Sequence, residues 1–229
     1  MGKPTLKGQV PQRKNNHRFY LLSSAAWFIS QGVYFDCLYI ILAFFLGSLP
    51  FGYWLGRFRG IDVRGQGSKN TGATNVGRVL GKKWGFLVLA LDLGKGWLAV
   101  VLATKVGHTG DPTAVGAAVV AVLGHVFSPW LGFRGGKGVA TSAGALLALT
   151  PCVGISVIGV WGLVFLMSRI VSVASLVAAS AFPFLVFGLD SGRPLLQWAA
   201  VGMTGLVWIR HRDNLVRLLQ GRESKLVKK

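Results

Sequence analysis

Apolar positions along the chain fall into long runs, broken by polar links rich in glycine. Residues 37–56, CLYIILAFFLGSLPFGYWLG, are apolar nearly throughout. Twenty residues at ~1.5 Å each cover the ~30 Å hydrocarbon core of a bilayer. Pro50 is placed to kink this run near its end, and Gly47, Ser48 and Gly52 give it a small face for neighbouring helices. Further spans are expected at 84–106, at 113–133 (interrupted by Ser128-Pro129), at 170–189 and at 195–209. The apolar stretch 139–168 is too long for one untilted span. Pro151 divides it into 139–149 and 152–168, because the residue before a proline avoids helix. The first piece is short enough to sit obliquely. The pattern predicts an all-α fold: a polytopic membrane helix bundle with seven transmembrane helices over 37–209.

Outside that domain lie a leader, 1–36, and a basic tail, 210–229, with an amphipathic start. Residues 1–18 are polar and basic and are expected to be disordered. Residues 19–35 are moderately apolar and read equally as a signal peptide, an interfacial helix, an extra span or a non-native extension. A start codon encoding valine at Val33 would remove the leader altogether.

Composition agrees with a membrane protein. The 229 residues are 52% hydrophobic and 14% charged, with 25 Lys and Arg against 7 Asp and Glu. Soluble domains carry about 25% charged residues. Nucleic acid is not the expected partner of this basic excess, because no long polar domain exists to carry such a site. The charge is also ordered. With seven spans, one side receives loop 57–83 with seven basic residues, turn 134–138 with two, Arg169, and the tail with seven. The opposite links carry only Arg193. The positive-inside rule puts the first set, and so the basic loops, on the cytoplasmic face. Cys37 and Cys152 fit neither a zinc site nor a disulfide framework and are expected to be buried free thiols.

Three polar segments then meet on one face. In the first, Ser68, Thr71 and Thr74 supply hydroxyls, Asn70 and Asn75 supply amides, and Gly65, Gly67 and Gly72 leave backbone N–H groups accessible as an anion nest. Arg78 adds a planar fork suited to phosphate. In the second, Gly135, Gly136, Lys137 and Gly138 place an ammonium on a turn that opens a helix, whose N-terminus favours an anion. In the third, His211 and Asn214 share a face of the tail helix, followed by Arg217. Asp92 and Lys95, three apart within a span, are expected to pair and to face the bundle. The Walker A pattern, G-x-S-x-G and H-E-x-x-H are absent, and the residues five after each histidine (Leu22, Thr113, Trp130, Val216) rule out H-x-x-x-x-D. No metal and no cofactor are implied.

The blocks GSLPFGYWLG (47–56), DVR…GSKNTGATNVGRVLGKK (62–83), LDLGKG (91–96), GHVFSPWLGFRGGKGVAT (124–141) and HRDNLVRLLQGRE (211–223) stand in the order of one known family. The chain resembles the bacterial acyl-phosphate:glycerol-3-phosphate acyltransferases (PlsY) from about residue 37 to about 224. The resemblance implies a seven-helix inner-membrane enzyme with its active site facing the cytoplasm. Such an enzyme transfers a fatty acyl group from acyl phosphate to the sn-1 hydroxyl of glycerol 3-phosphate. The products are lysophosphatidate and phosphate, in phospholipid biosynthesis. Residue by residue, Ser68, Asn70, Thr74, Asn75 and Arg78 match the first family motif, Lys137 with its glycines the second, and His211 and Asn214 the third. Lys69 departs from it, standing where the family commonly has glycine, which puts the loop's local conformation in question.

An acyl phosphate is already activated, so positioning and charge stabilisation matter more than a strong base. Arg78 and Lys137 are expected to hold phosphate, with Ser68 and the Asn amides orienting polar groups. His211 is either a base or an orienting hydrogen-bond partner. The acyl chain is expected against apolar grooves between helices, with membrane lipid around a monomer. The rival class is a transporter or binding protein for organic phosphates, with Asp92 and Lys95 along its path; its sites usually lie at the midplane, not on one basic face.

Overall fold

The computed structural model describes residues 34–106 and 111–226. The readings for the leader up to Val33 lie outside these residues. Helices and their links make up the described residues, with no strand among them. α1 covers 34–48, α2 is Phe51–Phe58, α3 Ala73–Val79, α4 Lys82–Val101, α5 Asp111–Val126, α6 Val139–Leu149, α7 Pro151–Ser168, α8 Val171–Leu189, α9 Pro194–Arg210 and α10 Arg212–Leu219.

Five helical stretches are long and apolar enough to cross a membrane: Tyr34–Phe58, Lys82–Lys105, Asp111–Leu131, Pro151–Ser168 and Val171–Leu189. Two elements expected as spans are shorter. α9 has 17 residues, and α6 has 11 because Thr150-Pro151 ends it. At ~1.5 Å per residue α6 is about 16 Å long, half a hydrocarbon core. It packs instead against α4, α5 and α7. Outward-facing Phe86, Met167, Phe184 and Trp198 are all more than two-thirds exposed, the surface expected of a chain whose solvent is lipid. Cys152 is exposed too, as is Cys37, against the expectation of burial. Both sit on helix faces turned away from the bundle.

Pro50 does more than kink the first span; it splits it into α1 and α2. Proline brings no N–H, so carbonyls at the break need other donors. The Ser128 hydroxyl donates to Ser48 O at 2.7 Å, and Trp130 Nε1 donates to the Ser48 hydroxyl at 2.9 Å. Lys95 Nζ donates to Leu49 O at 2.8 Å while pairing with Asp92 at 2.9 Å, both side chains being almost fully buried. The expected Asp92–Lys95 pair therefore also seals the break. His125 Nδ1 stands 3.6 Å from the same Asp92 oxygen.

Small residues bring the helices together. A Cβ on Gly96 of α4 would lie 2.1 Å from Thr141 O, and one on Gly144 of α6 would lie 1.9 Å from Leu93 O. α4 and α6 thus touch backbone to backbone at two points, which only glycine allows. This fixes where α6 begins, and with it the turn that carries Lys137.

Candidate active site

The link 57–83, expected as a loop throughout, contains a helix, α3, entered from Gly72. Its organiser is Asn75, which is 1% exposed. Asn75 Oδ1 accepts from Ser68 N at 2.8 Å, and its Nδ2 donates to Val63 O, Gln66 O and Asn70 O at 3.0, 3.1 and 2.8 Å. The whole amide is spent on holding the loop, so Asn75 shapes the site from behind. Asn70 Oδ1 accepts from Gly72 N at 2.9 Å, and Lys69 N donates to Gln66 O at 2.9 Å. Gly65 N likewise donates to Asp62 O at 3.0 Å, so the Gly65 and Gly72 N–H groups, expected to lie open to an anion, are spent within the loop. Gly67 has φ +59°, and a Cβ there would meet Asn75 Oδ1 at 2.3 Å. Lys69 adopts φ +58°, the left-handed region that favours glycine, so the loop keeps its shape despite the substitution.

The second segment is anchored in the same way. Gly135 N donates to Val126 O at 3.0 Å and Gly136 N to His125 O at 3.1 Å. The His125 ring lies against Gly136, where a Cβ would be 2.0 Å from Nε2. Arg210 grips the outer side, donating to Gly135 O at 3.0 Å and Gly136 O at 3.3 Å. Gly135 and Gly136 are therefore supports and not anion donors. Gly138, at φ +83°, turns the chain into α6.

The third segment closes the site. Lys137 Nζ donates to Asn214 Oδ1. Asn214 Nδ2 donates to Glu223 Oε1 at 2.6 Å, Ser172 Oγ donates to that same oxygen at 2.9 Å, and Arg217 Nε donates to Glu223 Oε2 at 2.7 Å. Burial pushes the Glu223 carboxyl up, but the bonds from Arg217, Asn214 and Ser172 outweigh it and hold it below its ordinary value. Arg78 Nη2 reaches Ser224 O at 3.3 Å. Glu223 and Ser172 were not singled out from the sequence. The available signal was an acid standing in a basic tail.

Burial lowers the Lys137 ammonium to about 8; Glu223 raises it, and the cations Arg217 and Arg78 lower it further. His211 is 2% exposed, and its Nδ1–H donates to Val207 O at 2.8 Å. Burial, then the Lys137 charge, lowers it to about 4. The ring is thus neutral, with Nε2 left as an acceptor.

One cavity of about 330 Å³ joins the three segments. Ser68, Asn70, Gly72, Thr74, Asn75, Arg78, Lys137, Gly138, His211 and Asn214 all line it, whereas Gly67, Gly135 and Gly136 do not. Its far part is apolar, walled by Leu146, Val157, Trp161, Phe182 and Met203. Cations and hydroxyls at one end and an apolar trough at the other suit a molecule with an anionic head and a long tail. Among the described residues no cluster of three or more His, Cys, Asp or Glu could hold a metal ion.

The family model for glycerol-3-phosphate acyltransferase matches residues 37–221. A glycerol-3-phosphate acyltransferase of Synechococcus sp. (strain JA-2-3B'a(2-13)) is 46% identical over 83% of this chain and 94% of its own length. That of Aquifex aeolicus is 42% identical over 81% and 96%. Among solved structures, the glycerol 3-phosphate form of PlsY (YgiH), an integral membrane glycerol 3-phosphate acyltransferase, superposes with a TM-score of 0.78 at 38% identity, covering 83% of this chain and 94% of that one. Its lysophosphatidic acid form gives 0.76.

Proposed function

The chain belongs to the glycerol-3-phosphate acyltransferase family and is an acyltransferase, and from that premise we propose its donor, acceptor and mechanism. The donor is an acyl phosphate and the acceptor is the sn-1 hydroxyl of glycerol 3-phosphate. The observation that carries this reading is the single cavity with a cationic mouth and an apolar trough. The glycerol 3-phosphate and lysophosphatidic acid forms of the similar PlsY structure support the same acceptor and product.

Lys137 and Arg78 bind phosphate, and Ser68 and Thr74 orient it by hydroxyl contacts. Asn214 and Glu223 hold Lys137 in place, and Asn75 holds the Ser68 loop. His211 Nε2 accepts a hydrogen bond from the attacking hydroxyl and aligns it. A group lowered to about 4 is a weak base, so the proton passes to the departing phosphate. The new bond joins the glycerol oxygen to the acyl carbon, and the acyl carbon–phosphate oxygen bond breaks. Hydrogen phosphate leaves with the proton. The cations at the mouth offset charge that builds on the leaving group.

The bundle sits in the bacterial inner membrane as seven membrane helices, the five long spans with α9 and the half-length α6, which lies obliquely among α4, α5 and α7, and the basic loops are in the cytoplasm. Loop charge supports this arrangement, since the Lys and Arg of the links gather on one side and the opposite links carry only Arg193.

The test is phosphate release by the purified protein in detergent. Release that requires both acyl phosphate and glycerol 3-phosphate, with lysophosphatidate formed in equal amount, is expected. Glycerol 3-phosphate uptake into vesicles without acylation would sink the reading.

A further inference from the structure

Three large side chains on three helices close the apolar end of the cavity. We propose that this floor, formed by Leu146, Phe182 and Met203, sets the length of acyl chain that is transferred. The inference rests on the acyl phosphate reading of the same site.

On α8 the cavity-facing positions are Ser172, Ser175, Ala178, Ala179 and Phe182. They recur every three or four residues, as one helical face does. From Val171 to Phe182 that face runs about 16 Å at ~1.5 Å per residue. It begins with hydroxyls, passes over two alanines and ends in a phenyl ring. The deepest lining residue on α6 is Leu146, and on α9 it is Met203.

Leu146, Phe182 and Met203 are 3%, 4% and 7% exposed and belong to one core cluster. One turn further along α8 and α9, Val186 and Ala200 lie in that same core and line no part of the cavity. Three helices thus stop lining the cavity where their side chains meet the core. The trough is therefore blind in that direction. Ala178 precedes Phe182 by one turn, so a larger residue there raises the floor.

An apolar pocket discriminates against a methylene it cannot seat by about tenfold or more. The experiment uses the full chain in detergent, glycerol 3-phosphate and an equimolar mixture of saturated acyl phosphates from decanoyl to octadecanoyl. Mass spectrometry reads the lysophosphatidate products. The wild type is expected to show a maximum at one length. Ala178→Leu is expected to move it to shorter chains, lowering the ratio of longer to shorter products about tenfold. Phe182→Ala is expected to move it to longer chains. Ala178 is 3% exposed but lines the cavity, so Ala178→Leu extends a side chain that already stands on its wall. Its thermal unfolding in detergent is read beside its product profile, and a folded Ala178→Leu decides the matter even where Phe182→Ala fails to fold.

Profiles of Ala178→Leu that superimpose on the wild type overturn the floor. The chain then leaves sideways past Leu89 and Ile158, which are 40% and 36% exposed, into lipid. Failure of the wild type to make lysophosphatidate from any acyl phosphate overturns the donor reading and the floor together. The two failures are therefore distinct.

Discussion

Lys137 donates a hydrogen bond to Asn214 across 77 residues of sequence, and Asn214 passes another to Glu223. The ammonium at the mouth of the cavity is thus held by a carboxylate it does not touch. Ser172 and Arg217 meet the same carboxylate, which ties α8, α10 and the tail to the turn before α6. Removing Glu223 leaves Asn214 and Arg217 without that partner. Glu223→Gln keeps the shape but loses the charge. It is expected to raise the KM for glycerol 3-phosphate, with thermal unfolding in detergent showing how much of the loss is structural.

The pH profile follows from two groups at the mouth. Lys137 titrates at about 8, and its charged form is the one that holds an anion. As pH rises through about 8 the ammonium loses its proton, so kcat/KM for glycerol 3-phosphate is expected to fall. His211 protonates only as pH drops through about 4. Between those values neither side chain changes state, so a step in that window is expected to follow the second ionisation of the substrate phosphate, at about 6. Lys137→Arg removes the alkaline limb, because a guanidinium keeps its proton there. An alkaline limb unchanged in that variant would take Lys137 out of the binding step.

Asn75→Ala strips four backbone groups of their partner. At about 0.5–1.5 kcal/mol for each hydrogen bond, the loop should lose roughly 2–6 kcal/mol of local stability and most turnover. Hydrogen exchange over 63–72 checks this, with faster exchange confined to the loop as the expected outcome. Asn75→Asp is expected to be no better, since it turns a carboxylate oxygen toward three carbonyls.

Lys69→Gly should stabilise. A non-glycine residue in the left-handed region costs roughly 1–2 kcal/mol, and the larger unfolded-state freedom of glycine returns part of that. A net gain of about 0.5–1 kcal/mol is expected, read as a higher Tm in detergent. Activity should be retained, because the Lys69 side chain is exposed and does not line the cavity.

Gly144→Ala tests the contact that positions α6. The new methyl would meet the Leu93 carbonyl, and overpacking costs about 1–3 kcal/mol. Lower thermal stability and weaker activity are expected together, since α6 carries Lys137 at its entrance. Gly159→Ala, on a helix face with open space, should change neither.

The segmentation of the chain was legible in the sequence. Apolar runs, Pro50 and Pro151 placed most helix limits within a few residues, because burial in lipid and a missing N–H are local constraints. The pairing of Asp92 with Lys95 was legible too, since three residues on a helix bring side chains together. So were the cavity-lining residues Ser68, Arg78, Lys137, His211 and Asn214, whose chemistry suits an anion. The tertiary structure decided which of the remaining polar groups face a ligand. Asn75, Gly135 and Gly136 have the same composition signal as their neighbours, yet they turn inward, because buried backbone groups at Val63, Val126 and His125 claim them first. Lys95 reaching Leu49 O, Glu223 holding Asn214, and a trough that ends at Phe182 depend on residues far apart in the chain. No local pattern encodes those meetings; they exist only once the helices have packed.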